Sequence, residues 1–161
     1  MTVVVQINLE KPRKQSVKDV YRGDKMKVKL DKEALTPTRA HKDDAGLDLY
    51  SPVSCIVKAK NSMVIDTGVH VELSKGTAGF LKSKSGLNIN YGITSDGVVD
   101  VGYTGSIKVK LYNHSDKDYA IVRGDKITQL VVVKIETPKL EIVEDLEETE
   151  RGSNGFGSTG K

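Results

Sequence analysis

The sequence predicts an all-β fold, a barrel or sandwich of short antiparallel strands in a single domain. Three observations carry that reading. Apolar and polar residues alternate with period two, turn-forming residues separate the alternating runs, and helical patterning is confined to two short stretches. Alternation puts one face of a strand on a core and the other in water, as antiparallel sheets require. Many short strands at this spacing argue for a sandwich or barrel.

The elements follow in chain order. Residues 3–9 (VVVQINL) open the series, and residues 26–30 (MKVKL) repeat it. Residues 15–21 suit about two helical turns from a Ser16 cap. Then come 63–65 (MVI), 69–73 (VHVEL), 107–111 (IKVKL), 129–135 (QLVVVKI) and 140–143 (LEIV). A second helix of about one turn fits residues 86–91. Turn signals stand at Ser51-Pro52, residues 60–62, Lys75-Gly76, residues 95–97 and residues 123–125. Residues 1–26 read as an added segment and 27–146 as the β domain. Residues 147–161 read as an arm, because four glycines in the last ten residues cannot stabilise a strand or helix and leave it flexible.

Composition narrows the function. With 161 residues and 17.6 kDa, one compact domain with a sizeable core is expected. Hydrophobic residues make 37% and charged residues 29%, and no apolar run is long enough to span a bilayer. The net charge of +3 is interspersed, which argues against a direct nucleic-acid surface. Cys55 is the single cysteine, so an internal disulfide and a multi-cysteine metal site are excluded. His41, His70 and His114 lie in unrelated segments, which argues against a histidine-based zinc site. Residues 1–9 lack a basic head followed by an apolar stretch, so a cytoplasmic protein is expected.

Five segments break the alternation with small or acidic residues. They are residues 45–51 (AGLDLYS), 82–87 (KSKSGL), 96–105 (DGVVDVGYTG), 123–130 (RGDKITQL) and the tail. Each alone has an ordinary structural explanation: a turn acid, a helix start or a hairpin turn. The second is positive and donor-rich, which favours an anion. In the tail, one Arg and one Phe stand among Gly, Ser and Thr, an inventory of anion fork, stacking face and small donors that suits a nucleotide. Residues 155–161 imitate a phosphate loop, G-x-x-x-x-G-K, but without a following Ser or Thr and helix no such loop is expected.

Taken in order, the five segments resemble the motifs of the trimeric dUTP pyrophosphatase (dUTPase) family, from about Lys27 to Lys161. The resemblance is most specific in residues 45–49, 85–87, 97–105, 151–152 and 155–160. It implies the dUTPase-like β-clip fold and hydrolysis of dUTP to dUMP and pyrophosphate. That reaction limits uracil incorporation into DNA and supplies dUMP for thymidylate synthesis. By resemblance, Asp100 holds and deprotonates the water that attacks the α-phosphorus, a general-base role suited to a carboxylate. Tyr103 lies under the deoxyribose and leaves no space for a 2′-hydroxyl. Backbone groups at Gly97, Val99 and Lys108 read the uracil.

The same resemblance gives the phosphates to Lys84, Ser85, Gly86 and Gln129. Lys84 departs from the family's usual arginine, supplying the charge without the planar fork. Asp48 is implied to hold Mg²⁺ through water, the phosphates being its main ligands. In the arm, Phe156 is implied to stack on uracil, Arg151 to pair with phosphate, and Gly157, Ser158 and Thr159 to close over the γ-phosphate. The arm crosses to a neighbouring subunit in this family, so a homotrimer with shared active sites is implied. A regulatory protein partner, as some viral members have, would find its candidate surface in residues 1–26. The related dCTP deaminases carry a catalytic glutamate where this chain has Lys110, which argues against deamination. A non-catalytic binding module would not need the water-orienting Asp100.

Overall fold

The computed structural model describes residues 25–153. The strand expected over 3–9, the helix expected over 15–21 and positions 154–161 lie outside them. Among the described residues the regular structure is strand apart from one short helix, as the alternation predicts. The strands are β1 (Lys27–Leu30), β2 (Gly46–Tyr50), β3 (Cys55–Val57), β4 (Ser62–Asp66), β5 (Val69–Glu72) and β6 (Thr77–Lys82), followed by β7 (Ile93–Val99), β8 (Lys108–Asn113), β9 (Tyr119–Ile121) and β10 (Lys126–Lys134). One helix, α1 (Ser85–Tyr91), separates β6 from β7. It ends at Gly92, whose left-handed backbone donates back to Asn88 and Leu87.

All pairings between the strands are antiparallel. Six strands form one curled sheet in the order β2-β10-β6-β7-β8-β4, and β1-β5 and β3-β9 form two-stranded ribbons. Period two decides what is buried. Along β8, Val109, Leu111 and Asn113 point inward while Lys108, Lys110 and Tyr112 point outward. Leu49, Val57, Val69, Val109, Leu111 and Leu130 are completely buried. Each such side chain contributes about 1.5–3 kcal/mol of hydrophobic stabilisation. Met26 also packs against this core, at the edge of the segment read as added.

Two readings of the sequence fail. Residues 95–97 form no turn; they lie inside β7, with Asp96 opposite Lys82 and Gly97 opposite Leu81. Gly97 serves a close approach instead, since a Cβ there would stand 3.3 Å from a methyl of Leu81. Residues 140–143 form no strand: Leu140 and Ile142 are almost fully exposed. Alternation creates a strand only where a second strand offers backbone partners, and none of the described strands pairs with this segment.

Candidate active site

Two clusters hold the described candidate residues. The first is built on β2 and β10. Their register sets Asp48 opposite Gln129, Gln129 opposite Lys82, and Lys82 opposite Asp96 on β7. Asp48 is buried, and its two carboxylate oxygens accept from two lysines: Lys84 Nζ at 2.5 Å and Lys126 Nζ at 2.8 Å. Burial pushes the Asp48 carboxyl up; the two ammonium groups overcome that push and hold it below the ordinary carboxylate value. Asp48 in turn raises the pKa of Lys126. One acid and two bases leave a local charge of about +1, which suits a polyanion.

A polar scaffold fixes the neighbouring turn. Ser95 and Thr128 share a hydroxyl hydrogen bond of 2.8 Å in the core, and Ser83 donates to the Ser95 carbonyl. Gln129 Nε2 donates to the Ser83 carbonyl at 3.2 Å, just before Lys84. Ser85 and Gly86 open α1 immediately beyond and are exposed. Sequence reasoning assigned no role to Lys126. It stands beside a register shift between Lys126 and Thr128 that breaks the period-two pattern. Its visible signal was a lysine directly after the Arg123-Gly124-Asp125 turn.

The second cluster arises where two strands part. β7 pairs with β8 only over Ile93–Ser95, then leaves it and pairs with β6 over Asp96–Val99. The gap is a pocket of about 210 Å³ lined by Gly97, Val99, Tyr103, Lys108 and Lys110 among others. Along it, one edge of β7 has no strand partner and presents backbone donors and acceptors. The turn beyond β7 carries Asp100 and Tyr103, with the Tyr103 amide donating to the Asp100 carbonyl at 3.2 Å. Tyr103 is half-exposed and its hydroxyl donates to the Ser106 carbonyl. Its ring lies over Gly105, where a Cβ would stand 2.5 Å from the tyrosine oxygen. Ring and turn therefore form one fixed platform. The Asp100 carboxylate is exposed and has no hydrogen bond or ion pair among the described residues.

The row Asp48–Gln129–Lys82–Asp96 spans three strand spacings, about 14 Å. Only Asp96 reaches the pocket, so the phosphate-suited cluster and the Asp100–Tyr103 turn stand apart within one chain. Arg151 is described and exposed, whereas Phe156, Gly157, Ser158 and Thr159 lie outside the described residues. Among the described residues no group of three His, Cys, Asp or Glu side chains could cage a metal ion. Asp48, already on two lysines, offers at most a contact through water. That donor set fits a cation whose other ligands come from a polyphosphate. No helix among the described residues is long and apolar enough to cross a membrane.

Comparisons with known proteins agree with this geometry. The dUTPase family model matches residues 32–160. The deoxyuridine 5′-triphosphate nucleotidohydrolase of Eremothecium gossypii is 41% identical over 149 residues, covering 91% of this chain and 97% of that protein. The structure of the Staphylococcus bacteriophage 80alpha dUTPase with dUpNHpp superposes with a TM-score of 0.81 at 33% identity, covering 86% of this chain and 99% of that one. A mutant dUTPase from phage phi11 of S. aureus, described for its coordination of a structural Mg(II) ion, gives a TM-score of 0.71 at 29% identity, covering 78% of this chain and 100% of that one. Together with the strand-parting pocket and its Asp100–Tyr103 turn, these matches show that the chain belongs to the dUTPase family.

Proposed function

We propose that this chain hydrolyses dUTP to dUMP and pyrophosphate in the cytoplasm, as a homotrimer whose active sites are shared between subunits. One observation carries the reading: Asp100, a carboxylate with no partner among the described residues, lies in the turn between Val99 and Tyr103, which both line a pocket walled by bare strand edge. Backbone groups at Gly97, Val99 and Lys108 would read uracil. An amide donor and a carbonyl acceptor in fixed places distinguish it from cytosine, whose C4 substituent reverses the pattern. The Tyr103 ring, held by Gly105 and Ser106, would floor the deoxyribose and exclude a 2′-hydroxyl.

Asp100 then orients a water and takes its proton as the water oxygen bonds the α-phosphorus. The bond to the bridging oxygen breaks and pyrophosphate leaves. Lys84, Ser85, Gly86 and Gln129 would hold the phosphates, with Lys84 kept in place by Asp48. The separation of the two clusters supports sites completed by neighbouring subunits. By resemblance, Arg151, Phe156, Gly157, Ser158 and Thr159 close the site. When bound, Mg²⁺ supplies charge neutralisation of the pyrophosphate, with Asp48 meeting it through water.

The test is pyrophosphate release from dUTP, dCTP, dTTP and UTP, with and without Mg²⁺. Release from dUTP alone, dependent on Mg²⁺, is expected. Ammonia released from dCTP, or equal turnover of all four, overturns the reading.

A further inference from the structure

His70 has no part in the site described above. It stands on β5 opposite Lys29 of β1, with its side chain 17% exposed, and both ring nitrogens have partners. Nδ1 lies 2.8 Å from the Thr104 carbonyl oxygen, and Nε2 lies 3.1 Å from Asp31 Oδ2. Both partners are acceptors: neither a carbonyl oxygen nor a carboxylate oxygen has a hydrogen to give. A neutral imidazole has one N–H and can satisfy one of them. Only the imidazolium donates to both.

The consequence lies in what Thr104 belongs to. It follows Tyr103 in the turn that carries Asp100. The base of that turn is fastened by other bonds: Ile107 N donates to the Val69 carbonyl at 2.8 Å, Thr67 Oγ1 donates to the Ile107 carbonyl at 2.7 Å, and Ser106 donates to Asp66. Within residues 100–105 the bonds Tyr103 N to Asp100 O and Tyr103 Oη to Ser106 O stay inside the turn. Among the described residues, the His70–Thr104 bond is the hydrogen bond that ties the crown of the turn to another strand.

We propose that His70, as the imidazolium, is a positioning residue for dUTP hydrolysis, bridging Thr104 to Asp31 and so fixing the turn that presents Asp100 and Tyr103. The inference rests on the dUTPase reading of that turn. The charged groups facing His70 come from three elements. Asp31, after β1, and Asp66, at the end of β4, favour the cation; Lys29 on β1 opposes it. Lys27 and Glu72, further along the ribbon, neutralise each other at 2.9 Å. The bond to Thr104, then that to Asp31, raises the pKa of His70 above the ordinary 6.5. The sign follows: the bridge is complete below that ordinary value and is lost as pH rises through the raised one.

Three variants and one spectroscopic readout test this. In wild-type protein, kcat/KM for dUTP is expected to fall about five- to tenfold on the alkaline side as His70 loses its proton, the scale of one charge-assisted hydrogen bond at a partly exposed site. H70Q, whose amide does not gain or lose a proton in this range, shows no such step. H70R, whose donors keep their protons, holds the upper level through the same range. D31N, which removes the carboxylate that favours the cation, moves the step to lower pH. Independently of turnover, NMR of the histidine Hε1 signal should give His70 a pKa above 6.5, with the Gly102 and Gly105 amides shifting at the same midpoint. A wild-type pH profile that superposes on that of H70Q, or turn amides indifferent to the His70 titration, overturns the proposal. Absence of dUTP turnover at every pH would instead overturn the enzymatic reading, and the NMR titration would still decide the bridge.

Discussion

Replacing Lys84 and Lys126 by methionine, singly and together, tests whether one buried carboxylate organises the phosphate-suited cluster. Asp48 has a side chain only 3% exposed, while the lysines retain 27% and 41%. Each single variant removes one charge-assisted hydrogen bond yet leaves Asp48 one ammonium partner. At the partly exposed Lys84 the cost is about 0.5–1 kcal/mol, and at the more exposed Lys126 it is smaller. The double variant leaves a buried carboxylate uncompensated, which costs about 3–5 kcal/mol and exceeds the sum of small single losses. For a chain of this size that is a fall in Tm of about 1–4 °C for the Lys84 variant, less for the Lys126 variant, and about 6–20 °C for the double. Thermal unfolding at one fixed protein concentration measures it, because assembly would shift Tm by mass action.

The pH dependence adds a second criterion. Asp48 is depressed in the folded protein, so its contribution is present above its ordinary value of 3.8 and lost as pH falls through the depressed one. Without both lysines, burial raises the carboxyl instead, and the folded double variant takes up a proton at milder acidity. Its deficit relative to wild type is therefore widest near pH 7 and narrows toward pH 4. Strictly additive losses, or a deficit that ignores pH, would refute the claim that Asp48 holds both lysines through its charge.

Three further predictions concern chemistry. Asp100→Asn keeps the shape of the carboxylate but not its basicity, so kcat should fall about 10²–10⁴-fold with little change in KM; steady-state kinetics with near-normal kcat would remove Asp100 from the proton transfer. Tyr103→Ala should narrow the preference for dUTP over UTP by about tenfold, the scale of one steric contact. Gly105→Ala should narrow it too, because its Cβ would displace the tyrosine hydroxyl from 2.5 Å away. Ratios of kcat/KM for the two nucleotides decide both.

Some of this protein is written locally. Strands β5 and β8 are legible because one face of each meets the core and the other meets water, so burial repeats in the sequence itself; the later part of β10 is legible as a β-branched run. Helix α1 is legible over residues 86–91. The candidate residues are legible as segments, because Gly, Ser, Asp and Lys in those runs serve neither strand face nor core. Strands β2, β3, β6 and β9 were not singled out as strands. β2 buries Asp48 beside Leu49 and β6 mixes Gly79 into its run, while β3 and β9 have three residues each, too short for a period to show. The glycine at position 97 reads as a turn until Leu81 is seen to occupy the space above it. Residues 140–143 alternate like a strand yet pair with none of the described strands, and pairing is a property of two segments.

Everything that gives the site its chemistry is decided at that second level. Asp48 meets Lys84 and Lys126 through sheet register and a bulge, and β7 pairs with β8 over Ile93–Ser95 and with β6 over Asp96–Val99. His70 reaches Thr104 and Asp31 across separations of 34 and 39 residues. Periodicity records which side of a strand is wet, a local matter of burial. It carries no record of which carboxylate, carbonyl or cation will face that side, because those partners are delivered by hydrogen-bonded registers between segments far apart in the chain.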